Sequence, residues 1–177
     1  MKIIFLGTGE IGLPSLKAIY DSSDHHIISV FTQPDKPFGR KGELKPSEIK
    51  KFAQSKNIPI YQPEKIREQE AIDQLSLGNP DVLVVVAYGQ ILPEAVLRIP
   101  KIACINLHAS LLPLYRGASP IQAAILNGDE QTGLTSMYIA EGLDDGDLLK
   151  SKELIIDQDE TGGSLHDRLA ALGPELL

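Results

Sequence analysis

The chain carries one cysteine, no tryptophan and two methionines, and only 5% of its residues are aromatic. A lone thiol excludes a disulfide framework. Cys104 sits in the apolar run Ile102-Ala103-Cys104-Ile105, so it reads as inert core in a reducing cytoplasm. Long apolar runs are missing too. None approaches the ~18 residues of a membrane helix, and no membrane partner is expected. The opening, Met1 to Gly7, is too short and too strand-like for a signal peptide. Metal-ligand spacing is absent among the four histidines: His25 and His26 adjoin at a loop or strand start, and His166 falls on a late helix. No metal is expected. Positive charge is the minority sign, and a formal net charge of −7 argues against a nucleic-acid binder taken whole.

The basic residues are unevenly spread. Lys36, Arg40, Lys41, Lys45, Lys50, Lys51 and Lys56 fall in one stretch, opposed there only by Glu43 and Glu48. Such a patch can grip phosphates on an acidic body, although a solvated face is the commoner fate of a charge run.

At 177 residues and 42% hydrophobic composition, the chain is long enough for one domain with a sizeable core. Ile3 to Leu6 predicts a strand, Leu13 to about Ser22 a helix, and Ile27 to Thr32 a second strand. Gln33 to Lys45, with its prolines and glycines, predicts an exposed loop. Pro46-Ser47-Glu48 opens a helix to about Lys56, with Pro suited to a first turn. Ile58 to Tyr61 is a short extended piece, and a helix is expected from Glu64 to about Leu75. Asp81 to Ala87 predicts a strand buried on both faces, as in the middle of a parallel sheet. A short helix at Leu92-Pro93-Glu94, a strand at Ile102 to Leu107 and a helix at Pro120 to Leu126 follow. Gly133 to Ala140 and Leu148 to Ile156 are two further strands, and Thr161 starts the last helix. This alternation predicts an α/β fold with a doubly wound, mostly parallel sheet. The last two strands have no helical pattern between them, which leaves room for an antiparallel edge.

Gly7-Thr8-Gly9-Glu10-Ile11-Gly12 matches G-x-G-x-x-G between a strand and a helix, a turn that can offer backbone N–H groups to a phosphate. A dinucleotide site also needs an acid at the end of the second strand. Here that strand ends Val30-Phe31-Thr32-Gln33, without one. A plain tight turn, or a site for another phosphate or ribose, stays open.

The stretch from Ile102 to Asp147 carries the chemistry. On a buried strand, alternation puts Asn106 and His108 on one side at the carboxyl end, where open α/β sheets place ligands. Asp144, in Gly142-Leu143-Asp144-Asp145-Gly146-Asp147, could bring a carboxylate to them. Amide, imidazole and acid together suit acyl transfer without a covalent enzyme intermediate. The turn after this strand must be sharp, and a cis Leu112–Pro113 bond is one way to make it.

Asn106-Leu107-His108-Ala109-Ser110-Leu111-Leu112-Pro113-Leu114-Tyr115-Arg116-Gly117 and the Gly142 to Asp147 segment resemble the motifs of the folate-dependent formyltransferases. The resemblance spans nearly the whole chain and implies their Rossmann-like fold. It implies 10-formyltetrahydrofolate as formyl donor and Asn106, His108 and Asp144 as the catalytic set. It places the folate against Tyr88, Gln90, Ile91, Leu92, Ser110, Leu111, Leu112, Pro113, Ile139 and Gly142. Within the superfamily, Phe31-Thr32-Gln33-Pro34-Asp35-Lys36-Pro37-Phe38-Gly39-Arg40 and Gly117-Ala118-Ser119-Pro120-Ile121-Gln122 resemble the branch acting on initiator methionyl-tRNA. By that resemblance Lys36, Arg40, Lys41 and Lys45 meet the tRNA acceptor stem, with Arg40 foremost. Members of that branch normally continue into a C-terminal oligonucleotide-binding barrel. The expectation is therefore that residues 1–177 are the catalytic domain, monomeric and cytoplasmic, with the tRNA-binding domain absent from this chain. The departure lies at the first turn, where the family commonly has Gly-Thr-Pro and this chain has Gly7-Thr8-Gly9.

Four readings remain: transfer to methionyl-tRNA, transfer to an amino sugar nucleotide or glycinamide ribonucleotide, hydrolysis of the formyl folate to formate, and a non-catalytic nucleotide-binding module. The last leaves Asn106, His108 and Asp144 unexplained.

Overall fold

The computed structural model describes residues 1–38 and 43–177. Its main sheet is built from β1 (Lys2–Gly7), β2 (His26–Phe31), β5 (Ile60–Tyr61), β6 (Val82–Val86), β7 (Ala103–His108), β8 (Gln131–Tyr138) and β9 (Leu148–Ile155). The spatial order is β5-β2-β1-β6-β7-β8-β9. The first five of these strands pair in parallel, whereas β7–β8 and β8–β9 are antiparallel. The chain winds from β1 outward to β5, then returns to the other side of β1 with β6. That reversal makes a crevice at the carboxyl ends of β1 and β6, the usual ligand position in an open α/β sheet.

Alternation along the central strands feeds two cores. Ile3 and Phe5 of β1, Val82, Val84 and Val86 of β6, and Leu107 of β7 face one layer, which holds α1 (Leu13–Asp21), α2 (Glu48–Ser55), α5 (Pro120–Leu126) and α6 (Gly162–Leu176). Ile4 and Leu6, Leu83 and Val85, and Cys104 face the other, with α3 (Gln69–Leu77) and α4 (Glu94–Leu97). Asn106 and His108 share the face of Cys104. The α4 segment covers Cys104, whose thiol lies 3.6 Å from the Leu97 carbonyl. Burial in that apolar layer pushes the thiol pKa up to about 12, as its inert-core reading requires. Two and four residues further along the strand, that cover is gone and the face opens into a cleft.

Two expectations for this part of the chain need correction. Gln33 to Lys45 is not all loop: β3 (Lys36–Phe38) and β4 (Glu43–Lys45) form an antiparallel pair. Arg40 and Lys41 lie outside the described residues. Helix α3 starts at Gln69, five residues beyond the expected Glu64. The reason is the side chain of Gln90, which accepts the Ile66 N–H at 2.7 Å and donates to the Pro63 and Glu64 carbonyls at 3.3 and 3.2 Å. Those backbone groups, satisfied from outside, have no need of a helix. Elsewhere the expected elements are present within a few residues. Ser47 caps α2 by accepting the Lys50 N–H at 3.1 Å, and Thr161 and Ser164 form a capping box on α6. The Leu112–Pro113 peptide bond is cis. Among the described residues, no helix is long and apolar enough to cross a membrane.

Candidate active site

The open face of β7 forms one wall of a cleft of about 830 Å³ at the carboxyl edge of the parallel strands. Asn106, His108 and Asp144 all line it. Asn106 and His108 arrive there by strand alternation. Asp144 arrives on the β8–β9 connection, in a left-handed backbone conformation with φ of 46°, which Asp tolerates better than most residues. Close packing holds that connection: a Cβ added at Gly146 would lie 2.0 Å from the Tyr138 carbonyl oxygen.

The imidazole of His108 is 6% exposed and lies between two acceptors. Its Nδ1 is 3.4 Å from Asp144 Oδ2, and its Nε2 donates to the Tyr115 carbonyl at 2.8 Å. Asp144 Oδ2 also accepts the Gly117 N–H at 2.8 Å. Both ring nitrogens thus face oxygen atoms, the Tyr115 carbonyl within hydrogen-bond distance of Nε2 and the Asp144 carboxylate farther from Nδ1. The 3.4 Å separation from Asp144 is long for a hydrogen bond. Asn106 differs: among the described residues its side-chain amide makes no hydrogen bond, and it faces the cleft.

Of the residues expected to meet a folate, Tyr88, Gln90, Ile91, Leu92, Ile139 and Gly142 line the cleft. Ser110, Leu111, Leu112 and Pro113 do not. Ser110 and Leu112 turn into the protein: Ser110 is fully buried with its hydroxyl on the Leu114 carbonyl at 2.5 Å, and the Leu112 N–H reaches Thr135 Oγ1 at 3.3 Å, whereas Pro113 is exposed outside the cleft lining. Leu111 packs where Gly133 has no side chain. Tyr88 is 2% exposed, and its hydroxyl is buried without a partner. Burial pushes that phenol pKa up to about 12, so it stays a neutral donor. Lys36 and Lys45 are exposed, on β3 and β4.

The first turn is not a phosphate cradle in this conformation. The N–H groups of Thr8 and Gly9 both donate to the Ala87 carbonyl at 3.2 Å, across the crevice between β1 and β6. The Thr8 hydroxyl donates to the Tyr88 carbonyl at 3.1 Å and accepts the Gln33 N–H at 3.1 Å. Gly9 is required by proximity, since a Cβ there would sit 2.9 Å from Ala87 Cβ. The plain tight turn is the form observed.

Sequence reasoning missed His166 and Gln122, which also line the cleft. His166 has Nδ1 2.9 Å from Asp167 Oδ1. Its placement on α6 gives no local signal, because the cleft is assembled from strands far away in sequence. Among the described residues, no group of three or more His, Cys, Asp or Glu side chains could hold a metal ion.

A family model described as formyl transferase matches residues 1–177. The chain belongs to the formyl transferase family. It is similar to "Methionyl-tRNA formyltransferase" of Clostridioides difficile (strain 630), at 52% identity over all of this chain and 57% of that protein. To the protein of the same name from Legionella pneumophila (strain Paris) it is 51% identical, over 97% of this chain and 54% of the relative. The chain thus spans a little over half the length of the curated relatives it matches. Among solved structures, phosphoribosylglycinamide formyltransferase from Bacillus halodurans superposes with a TM-score of 0.82 at 20% identity, covering 99% of this chain and 91% of that one. A sugar N-formyltransferase from a Shewanella species gives 0.73 at 17% identity, covering 99% and 66%. These structural likenesses establish the Rossmann-like formyltransferase fold.

Proposed function

We propose that this chain is the catalytic domain of an enzyme that transfers a formyl group from 10-formyltetrahydrofolate to the α-amino group of initiator methionyl-tRNA, in the cytoplasm and as a monomer. The observation that carries the reading is similarity, at about half identity over all of this chain and 57% of the relatives, to proteins called methionyl-tRNA formyltransferase, in a chain whose Asn106, His108 and Asp144 meet in one cleft. A folate fits this cleft on physical grounds. It is large enough, Ile91, Leu92 and Ile139 offer apolar flanks, and the uncommitted Asn106 amide supplies a polar group at its wall. Folate contacts are assigned to Tyr88, Gln90, Ile91, Leu92, Ile139 and Gly142, while Ser110, Leu111 and Leu112 support the wall from behind. The folate brings the activated formyl group, and the protein supplies position and electrostatics.

Asn106 is the group best placed to meet charge as it develops on the formyl oxygen, because its amide N–H is uncommitted. A donor in that role is worth on the order of 3–4 kcal/mol of barrier. His108 handles protons: the attacking amine must lose one, and the nitrogen that departs must gain one. Asp144 holds the ring's orientation. For His108 to touch the formyl oxygen it must first let go of Tyr115 or Asp144. His166 and Gln122, which also line the cleft, are left for the acceptor. Lys36, Arg40, Lys41 and Lys45, which follow β2 in the sequence, meet the acceptor stem, with the Arg40 guanidinium suited to grip phosphate in two places.

The acceptor is tested by supplying 10-formyltetrahydrofolate with methionyl-tRNA, an amino sugar nucleotide, glycinamide ribonucleotide, or water alone, and following tetrahydrofolate release. Release that depends on methionyl-tRNA is the expected result. Release with another acceptor, or with water alone, would move the assignment to that reaction.

A further inference from the structure

The turn Tyr115-Arg116-Gly117 touches both members of the buried pair. The Tyr115 carbonyl receives the His108 Nε2 proton at 2.8 Å, and the Gly117 N–H reaches Asp144 Oδ2 at 2.8 Å. The imidazole and the carboxylate that face each other at 3.4 Å are therefore tied to one short turn. That turn is not a relaxed one. Tyr115 has φ of 55° and Gly117 φ of 101°. Glycine accepts this region freely, but a tyrosine does so only when something holds it there.

What holds it is the far end of the ring. The Tyr115 hydroxyl donates to Asp129 Oδ2 at 2.6 Å and accepts from Asn127 Nδ2 at 2.9 Å, both just past the end of α5. Tyr115, Asn127 and Asp129 are all outside the cleft lining, so none is placed to touch a ligand there. We propose that Tyr115 is a positioning residue: its hydroxyl bond to Asp129 fixes the turn that sets the alignment of His108 with Asp144. The ring acts as a strut between the end of α5 and the backbone that carries both contacts. Removing the hydroxyl leaves the carbonyl and the N–H in the chain but frees them to move.

The kinetic arm of the test rests on the formyl-transfer reading above; a spectroscopic arm does not. Compare wild type with Tyr115→Phe, Asp129→Ala, the two combined, and Asp129→Asn, which keeps a neutral acceptor for the hydroxyl. Record imidazole ¹⁵N resonances of His108 in the ligand-free protein, urea unfolding, and kcat and KM for the formyl folate. The expected result is a shift of the His108 resonances in Tyr115→Phe and Asp129→Ala, with kcat down about tenfold and KM within about twofold. The combined variant should be no worse than Tyr115→Phe, which already removes the Asp129 bond together with the one from Asn127. Asp129→Asn should recover most of the loss. Lower unfolding stability with unmoved His108 resonances and unchanged kcat would overturn the proposal, as would losses that multiply in the combined variant. If wild type transfers formyl to none of the acceptors, the functional reading fails, while the His108 resonances still decide the role of Tyr115.

Discussion

Two loops leave the same edge of the sheet, one after β1 and one after β7, and each leads toward a helix. The first has the glycine pattern usually associated with phosphate. The second has a longer and less general run from Asn106 to Gly117. In the folded chain their backbone groups go to different ends. Thr8 and Gly9 give their N–H groups to Ala87, so the first loop closes a seam between β1 and β6. The second loop keeps Asn106 open to the cleft and turns its own carbonyl and N–H onto His108 and Asp144. A glycine pattern says the backbone can turn tightly. Where the N–H groups then point is decided by the neighbouring strand.

The sharpest way to break this contrast is to remove the imidazole. His108→Ala should lower kcat for formyl transfer by about 10²–10³-fold with the fold intact by circular dichroism. A loss below about threefold would place the chemistry elsewhere. The hairpin after β2 offers a third loop from the same edge. Arg40→Ala should cut kcat/KM for methionyl-tRNA about tenfold and lower the log–log salt slope by about 0.7–0.9, leaving KM for the formyl folate unchanged. Equal effects on both substrates would make it a solvated connector.

Smaller effects address the first loop. Gly9→Ala must displace Ala87 and should cost about 1–3 kcal/mol in urea unfolding. Inorganic phosphate, titrated against wild type, should leave the melting temperature unchanged. A clear rise would restore the turn as an anion site. The smallest effect is electrostatic. The Lys50 ammonium at 2.6 Å, followed by the Gln62 amide at 2.9 Å, holds the Asp35 carboxyl below its ordinary range. A lowered folded pKa adds stability that is present above the unfolded value and is lost as pH falls through the folded one. The stability gap between wild type and Asp35→Asn should thus be full at pH 6 and close below about pH 4. A gap that stayed constant down to pH 2 would show that the pairing is not its cause.

Legibility followed how local each cause was. The shared face of Cys104, Asn106 and His108 follows from strand period alone, and the buried run Val82 to Val86 marks a central strand without help from elsewhere. Asp144 was legible because its glycine-flanked segment is distinctive. The start of α3 was not, since Gln90 satisfies the backbone near Ile66 from a distant position in the chain. The inward turn of Ser110 to Leu112 depends on Thr135 and Gly133 of β8, which nothing in the motif announces. His166 enters the cleft only because α6 folds back over β8 and β9, and the tie between Tyr115 and His108 depends on a carbonyl, which every residue has.

In the proposed formyl-transfer centre, the cleft holds Asn106, His108 and Asp144, and Asn106 serves the developing oxyanion. Single-turnover transfer from enzyme-bound 10-formyltetrahydrofolate to methionyl-tRNA, measured for wild type and Asn106→Ala beside folate affinity, tests it most directly. The account predicts a chemical step slowed about 10²–10³-fold with folate affinity within a few-fold of wild type. An unchanged chemical step, or a loss explained wholly by weaker folate binding, would contradict it.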